Sequence, residues 1–165
     1  MDTPQTPTRV TAELLDLLRR YDRPGPRYTS YPTAVEFHEG VDGATYESKL
    51  AEADAVPNEP LSLYFHLPFC RERCTFCGCS VVITRKPEVL GRYLDYLRTE
   101  IEMVAARLPH RRTANQMHWG GGTPTHLDSA GMRALWDTIS RQFTLDPGAE
   151  VAIEVDPRVT THEQV

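Results

Sequence analysis

Cysteine is missing from this sequence everywhere except in one short window, since all four thiols lie between Cys70 and Cys79. A secreted disulfide framework spreads its cysteines so that they staple distant segments, and this crowding excludes one. Thiols gathered in a single loop point instead to metal or redox chemistry. Long apolar runs are missing too, and none reaches the roughly 20 residues that a helix needs to span a bilayer. The first ten residues, Met1 to Val10, are polar and rich in Pro and Thr. They lack the basic stretch leading into an apolar one that marks a secretory leader. A cytoplasmic protein with no membrane partner is therefore expected. Positive charge is not in excess either. The formal net charge is −5, and the basic pairs Arg19–Arg20, Arg85–Lys86 and Arg111–Arg112 are short, the first two with acids close by. They read as solvated helix ends or loops. With no concentrated basic face to neutralise phosphates, a nucleic-acid partner is not expected.

At 165 residues the chain is long enough for one ordinary core. Leu14, Leu17, Leu18 and Tyr21 recur at helical spacing and predict an amphipathic helix over Val10 to Tyr21, with Thr11 as N-cap and Pro24, Gly25 and Pro26 as its stop. An extended stretch from Tyr28 to Ala34 follows, then a short helix near Tyr46 to Ala53 and a linker bracketed by Pro57 and Pro60. Residues 1–58 are expected to form an N-terminal extension that packs on a domain over 59–165.

Within that domain the pattern alternates. Leu61 to His66 reads as a strand running into the cysteine loop. Pro87 then opens a helix at a first-turn position, where its missing N–H costs nothing. Leu90, Leu94, Leu97, Ile101 and Leu108 share one face of it, along with Tyr93. Asn115 to Trp119 is a second strand, ended by Gly120, Gly121 and Gly122. Asp128 or Ser129 caps a second helix with Met132, Leu135, Trp136, Ile139 and Phe143 on its apolar face. Val151 to Val155 is a third strand, closed by Asp156-Pro157. This β-α-β-α-β order predicts an α/β fold with a parallel sheet and right-handed crossovers. Periodicity alone leaves an open doubly wound sheet and a (β/α) barrel equally available. Thr160 or Thr161 followed by Glu163 has the form of a helix start. A truncated chain, with at least one neighbour beyond the third strand, is the expectation.

In parallel α/β folds, ligands gather at the carboxyl ends of the strands. Here those ends carry the cysteine loop, three glycines and Glu154-Val-Asp156-Pro157, so strand geometry brings three unrelated segments to one face. The spacing C-x3-C-x2-C of Cys70, Cys74 and Cys77 lets three thiolates point into one compact metal centre. Clusters of the [4Fe–4S] type usually take four cysteines, so three leave one iron open to a substrate or cofactor. Structural zinc is the competing reading, with Cys79 or His66 as fourth ligand. The glycines match neither a P-loop nor a dinucleotide fingerprint; they serve a tight turn or the close approach of a ligand. Glu154 suits ribose hydroxyls or a salt bridge to the next strand. His66 and His118 read as hydrogen-bonded structural histidines. Tyr64 and Phe76 are either core or a packing surface for a flat organic ligand.

The combination resembles a known family. Cys70-x3-Cys74-x2-Cys77, with Phe76 before the third cysteine, is similar to the signature of radical S-adenosylmethionine enzymes. His118-Trp-Gly-Gly-Gly-Thr-Pro-Thr125 and Ile153-Glu-Val-Asp-Pro157 occur in the matching order. Phe76-Cys77-Gly78-Cys79 and Tyr28-Thr-Ser-Tyr-Pro-Thr33 narrow the resemblance to its oxygen-independent coproporphyrinogen III oxidase branch, from about Leu14 to the last residue. The resemblance implies an incomplete TIM-like barrel of which the first three β/α units are present. It implies a [4Fe–4S] cluster on Cys70, Cys74 and Cys77, with S-adenosyl-L-methionine on the fourth iron. Tyr64, Gly121 and Glu154 match positions that hold this first molecule. Phe76, Gly122 and Thr123 match positions that contact a second one in the complete protein. Cys79 matches a cysteine that is not a cluster ligand.

The implied reaction is oxidative decarboxylation of two propionates of coproporphyrinogen III to vinyls, giving protoporphyrinogen IX. It begins when the cluster reduces the sulfonium and releases a 5′-deoxyadenosyl radical. The implied partners are that substrate and an unidentified reductant, and the protein is expected to be a monomer. Basic residues such as Arg27 are candidates to pair with substrate carboxylates. The rival within the superfamily is a haem-trafficking protein, which carries an aromatic residue in place of Cys79 and lacks the Tyr28–Thr33 segment. Both features here favour the oxidase branch. With the barrel incomplete, this chain is expected to assemble a cluster without turning over.

Overall fold

The computed structural model describes residues 11–22, 36–75 and 81–164. They fall into two units, Met1–Gly40 and Val41–Val165, each taken by itself. In the first, α1 (Ala12–Tyr21) starts where expected, because the Thr11 hydroxyl accepts from the Leu14 N–H at 3.2 Å and so satisfies a donor that the helix start leaves free. The predicted stop at Pro24 to Pro26 and the segment Tyr28–Thr33 lie outside the described residues, as does Arg27.

The second unit opens with α2 (Gly43–Asp54), capped by Asp42, whose carboxylate accepts from the Thr45 N–H and hydroxyl, each at 2.8 Å. After it come β1 (Leu61–Leu67), β2 (Phe69–Cys70), β3 (Val82–Ile83), α3 (Pro87–Ala106), β4 (Thr113–Gly121), α4 (Ser129–Gln142) and β5 (Thr144–Ile153). Strands β1, β4 and β5 form one parallel sheet in that order, the arrangement the alternating pattern predicts. Tyr64 pairs with His118 and His118 with Ala152, while Phe65 pairs with Trp119 and Trp119 with Ile153. Because side chains alternate along a strand, this register sorts them into two layers. Phe65, Leu67, Met117 and Trp119 are buried against Leu94, Leu97 and Ile101 of α3 and Leu135 and Ile139 of α4. The opposite face carries Tyr64, His66, His118 and Glu154, so the sheet has one apolar side and one side given to chemistry.

Besides shifted bounds for α2 and for β4, which runs Thr113–Gly121 and so takes in two of the three glycines, three local features differ from the sequence reading. The third strand begins at Thr144 rather than Val151 and ends at Ile153 rather than Val155. Leu145 pairs with Ala114 and Glu150 with Gln116, so the residues between them bulge out of register. Asp146, Pro147 and Gly148 in that bulge carry the signature of a break, which hides the first half of the strand. The second difference is the two-residue pair β2/β3, too short to show a period. The third is the final segment, which forms a turn over 162–164 instead of a helix. Gln164, not Glu163, reaches back to the Thr161 N–H at 2.9 Å, and its amide group donates to Thr125 and Leu127 carbonyls. Glu163 pairs with Arg133 at 2.7 Å instead.

The side of the unit away from the sheet's carboxyl ends is fastened by charge. Arg111 donates to the carbonyls of Ala53, Glu59 and Pro60. Asp54 accepts from the N–H groups of His110 and Arg111 and from the His110 ring. These bonds tie the end of α2 and the linker to the start of β4. The Arg111 side chain is only 13% exposed, so Arg111→Met removes three bonds that water does not readily replace. A loss on the order of 2 kcal/mol is expected in urea unfolding, with an unchanged slope if the native topology survives.

Candidate cluster and cofactor site

The cysteine loop leaves β1 through Pro68 and is pinched shut at its base. Val82 N–H donates to the Pro68 carbonyl at 2.8 Å and Thr84 N–H to the Cys70 carbonyl at 3.1 Å. Phe69 pairs with Val82 and Cys70 with Ile83, so the loop starts and returns at one place. Cys70 is partly buried, Cys74 is exposed, and both are free thiols. They line one cleft of about 380 Å³ together with Glu72, Thr123, His126 and Arg158. Phe76, Cys77 and Cys79 lie outside the described residues. Among the described residues no three His, Cys, Asp or Glu side chains gather as a ready-made metal site. Two thiols thus face one cleft, and cysteine sulfur is the ligand type that holds iron–sulfur centres.

The three glycines answer a specific steric demand. Gly121 adopts φ +116°, a conformation L side chains rarely take. Gly122 lies so close to the neighbouring chain that a Cβ would meet the Phe69 carbonyl oxygen at 2.7 Å and the Pro68 carbonyl carbon at 2.8 Å. That proximity lets Gly122 N–H donate to the Leu67 carbonyl at 2.8 Å and Thr123 N–H to the Phe69 carbonyl at 2.9 Å. The end of β4 is thereby stitched to the root of the cysteine loop, and the Thr123 hydroxyl comes within 3.4 Å of Cys70 Sγ. What the glycines allow here is close packing of the chain's own backbone, as the tight-turn reading requires.

Glu154 sits one residue past β5, with its N–H still bonded to the Trp119 carbonyl at 2.9 Å. One carboxylate oxygen accepts from the Gly121 N–H at 3.1 Å, and the other lies 3.4 Å from His118 Nε2. Tyr64 stacks on the His118 ring at 5.8 Å and lies with its hydroxyl 3.0 Å from His66 Nδ1. It is 57% exposed, so Tyr64 belongs to the polar face and not to the core. Tyr64, Gly121 and Glu154 thus share one patch, while Gly122 and Thr123 adjoin Cys70. Both histidines have partners, as structural histidines do.

Other residues shape the site without a readable signal of their own. Tyr93 of α3 donates to the His66 carbonyl at 2.5 Å and meets the Phe69 ring edge-on at 5.1 Å, holding the exit of β1 in place. Burial, then the charges of Glu100 and Tyr64, push its hydroxyl above the ordinary tyrosine range, so it stays a donor. Sequence reading found Tyr93 only as part of an apolar stripe. Arg158 was missed altogether. Its guanidinium grips both oxygens of Asp156, at 3.0 and 2.7 Å, and holds that carboxyl below the usual range, first through the side-chain hydrogen bond. The i, i+2 pairing across Pro157 at a strand end was the available clue.

Known proteins match this arrangement. The model of the Radical SAM superfamily matches residues 64–165. The oxygen-independent coproporphyrinogen III oxidase of Mannheimia haemolytica is 46% identical over 143 residues, which cover 87% of this chain and 95% of that one. The Salmonella typhimurium protein of the same name is 44% identical over 144 residues, covering 87% of this chain and 31% of that one. Among solved structures, Escherichia coli coproporphyrinogen III oxidase (HemN), described as a radical SAM enzyme, superposes with a TM-score of 0.72 at 42% identity, over 86% of this chain and 30% of that one. The chain belongs to the radical SAM superfamily and, within it, to the family of oxygen-independent coproporphyrinogen III oxidases. Superfamily membership implies a [4Fe–4S] cluster and S-adenosylmethionine as cofactors. The chain spans under a third of the length of the Salmonella and Escherichia relatives.

Proposed function

We propose that this chain is the cluster-bearing, S-adenosylmethionine-binding part of an enzyme that converts two propionates of coproporphyrinogen III to vinyls without oxygen, giving protoporphyrinogen IX. The observation that supports it best is the cross-bonding of three strand ends at one edge. Leu67 is tied to Gly122 and Gly121 to Glu154, so the end of β1, the glycines and the carboxylate are held at one edge of the sheet. Cys70, Cys74 and Cys77 hold the cluster in this reading. Tyr64, Gly121 and Glu154 hold one S-adenosylmethionine, and Phe76, Gly122 and Thr123 contact a second. Bound, the pair of cofactors supplies the electron and the radical that abstracts hydrogen from the propionate β-carbon.

The chain's own contribution is positional. Glu154 offers an acceptor fixed by the Gly121 N–H, and the glycine segment leaves room for a ligand beside the thiols. Tyr64 presents a flat exposed ring on the same face. Residues 1–58 are read as an extension and 59–165 as the barrel segment. Contacts of α2 with the start of β4 support that reading for the part of the extension in the second unit. The remaining proposals are a cytoplasmic monomer, an unidentified reductant, and no nucleic-acid or membrane partner. Among the described residues no helix is long and apolar enough to cross a membrane.

The test is low-temperature EPR of the chain after anaerobic reconstitution with iron and sulfide and then reduction. A [4Fe–4S]⁺ signal that changes on adding S-adenosylmethionine is expected. Glu154→Gln is expected to weaken that response about tenfold in cofactor concentration, the usual effect of removing charge from one hydrogen-bonding partner. Retained zinc without sulfide would overturn the reading, and a signal indifferent to the cofactor would overturn the open iron.

A further inference from the structure

Among the described residues of the cysteine loop, one contact involves the sulfur of a proposed ligand directly. The Thr123 hydroxyl lies 3.4 Å from Cys70 Sγ, and neither side of this contact is free to drift. On one side, Thr123 N–H donates to the Phe69 carbonyl at 2.9 Å while the Thr123 carbonyl accepts from His126 N–H at 2.8 Å. On the other, Cys70 is paired with Ile83, and its carbonyl accepts from Thr84 N–H. Oxygen and sulfur are thus set at hydrogen-bond distance by backbone bonds two residues or fewer away.

With Cys70 as a thiol, either atom can donate. A cysteine that ligates iron does so as the thiolate, which has no proton to give, so the hydroxyl becomes the only possible donor. Reduction of a cluster adds an electron, part of which raises the negative charge on its sulfur ligands. A hydrogen bond into such a sulfur is stronger in the reduced state, and hydrogen bonds to sulfur are among the factors that set cluster potentials.

We propose that Thr123 is a positioning residue whose O–H···S bond to Cys70 raises the reduction potential of the cluster, so that a modest donor can load the electron. This rests on the assignment of Cys70 as a cluster ligand. It adds to Thr123 a role toward the metal distinct from any contact with a second S-adenosylmethionine. No proton is transferred and no bond is made or broken; one electron arrives from an external reductant, and the hydroxyl proton stays on oxygen.

The test compares reconstituted wild-type chain with Thr123→Val, which keeps the β-branched shape, and Thr123→Ser, which keeps the hydroxyl. Redox titration against dithionite, followed by EPR, reads the midpoint. The valine variant is expected to shift to more negative potential, with the ratio of reduced to oxidised cluster at the wild-type midpoint falling several-fold, and serine is expected to stay near wild type. A valine variant that loads iron normally and titrates with wild-type would overturn the proposal. A second measurement needs no variant. Proton electron–nuclear double resonance of the reduced wild-type cluster should show a coupled proton that exchanges in D2O, and its absence would overturn the proposal equally. A wild-type chain that assembles no cluster at all would instead remove the parent assignment.

Discussion

Replacing Cys74 with alanine is expected to leave the reconstituted chain without its iron–sulfur chromophore, and iron per chain should fall from about four to near zero. The same loss is expected at Cys70 and Cys77, while Cys79→Ala should retain the cluster and its response to S-adenosylmethionine. Cys74 is the most telling of the three. Cys70 is partly buried, paired with Ile83 and in contact with Thr123, so its replacement perturbs the root of the loop as well as the metal. Cys74 is exposed, and no hydrogen bond to its sulfur is present among the described residues. Removing that thiol therefore takes away the proposed ligand and little else. Circular dichroism and urea unfolding of the apo chain should be unchanged in Cys74→Ala, which separates ligation from folding. If Cys74→Ala kept a full cluster, Cys79 or another group would have to be the third ligand. If Cys79→Ala lost it, the site would be closed by four cysteines and the open iron position would disappear.

What the sequence made legible follows the length of each signal. α3 and α4 run for 20 and 14 residues, long enough for an apolar stripe to repeat, and Asp128 caps α4 through Gly131 N–H as its type suggests. β1 and β4 are bounded by chemistry that marks strand ends. The β2/β3 pair is two residues long on each side and carries no period, yet it gives the cysteine loop its fixed base. The start of β5 was hidden for the opposite reason, since Asp146-Pro147-Gly148 announces a break that the sheet tolerates as a bulge. The resemblance grouped Tyr64, Gly121 and Glu154, and the structure brings them to one edge: alternation puts Tyr64 and Glu154 on the same face, while Gly121, paired with Leu67, joins them through its backbone N–H to Glu154. The Tyr93 bond to His66 depends on where a side-chain tip comes to rest, which neither spacing nor composition encodes, whereas the Arg158 grip on Asp156 left only the weak clue of an i, i+2 pair at a strand end. Phe76, Cys77 and the Tyr28–Thr33 segment, all singled out by motif, lie outside the described residues, so their part in the site rests on the resemblance.

Gly122→Ala should be among the most damaging single-methyl changes available in this chain. The added carbon would meet backbone, at 2.7 Å from the Phe69 carbonyl oxygen and 2.8 Å from two further backbone carbons, and neither group can rotate aside. Relief requires the end of β4 to move away from Pro68-Phe69, which breaks the bonds from Gly122 to Leu67 and from Thr123 to Phe69. Overpacking of this kind costs about 1–3 kcal/mol before the lost hydrogen bonds are added. Cluster loading should fall with stability, because the same displacement carries Thr123 away from Cys70. Gly120→Ala provides the contrast. Its nearest contacts would be the His118 ring and the Glu154 carboxylate at 3.0 and 3.1 Å, side-chain groups that can yield by a few tenths of an ångström. A small loss of stability with normal cluster content is expected there, and a weakened response to S-adenosylmethionine if Glu154 is displaced. Equal unfolding curves for Gly122→Ala and wild type would show that the glycine segment does not press on the cysteine loop in solution. The stitching that places Thr123 beside Cys70 would then have to be abandoned.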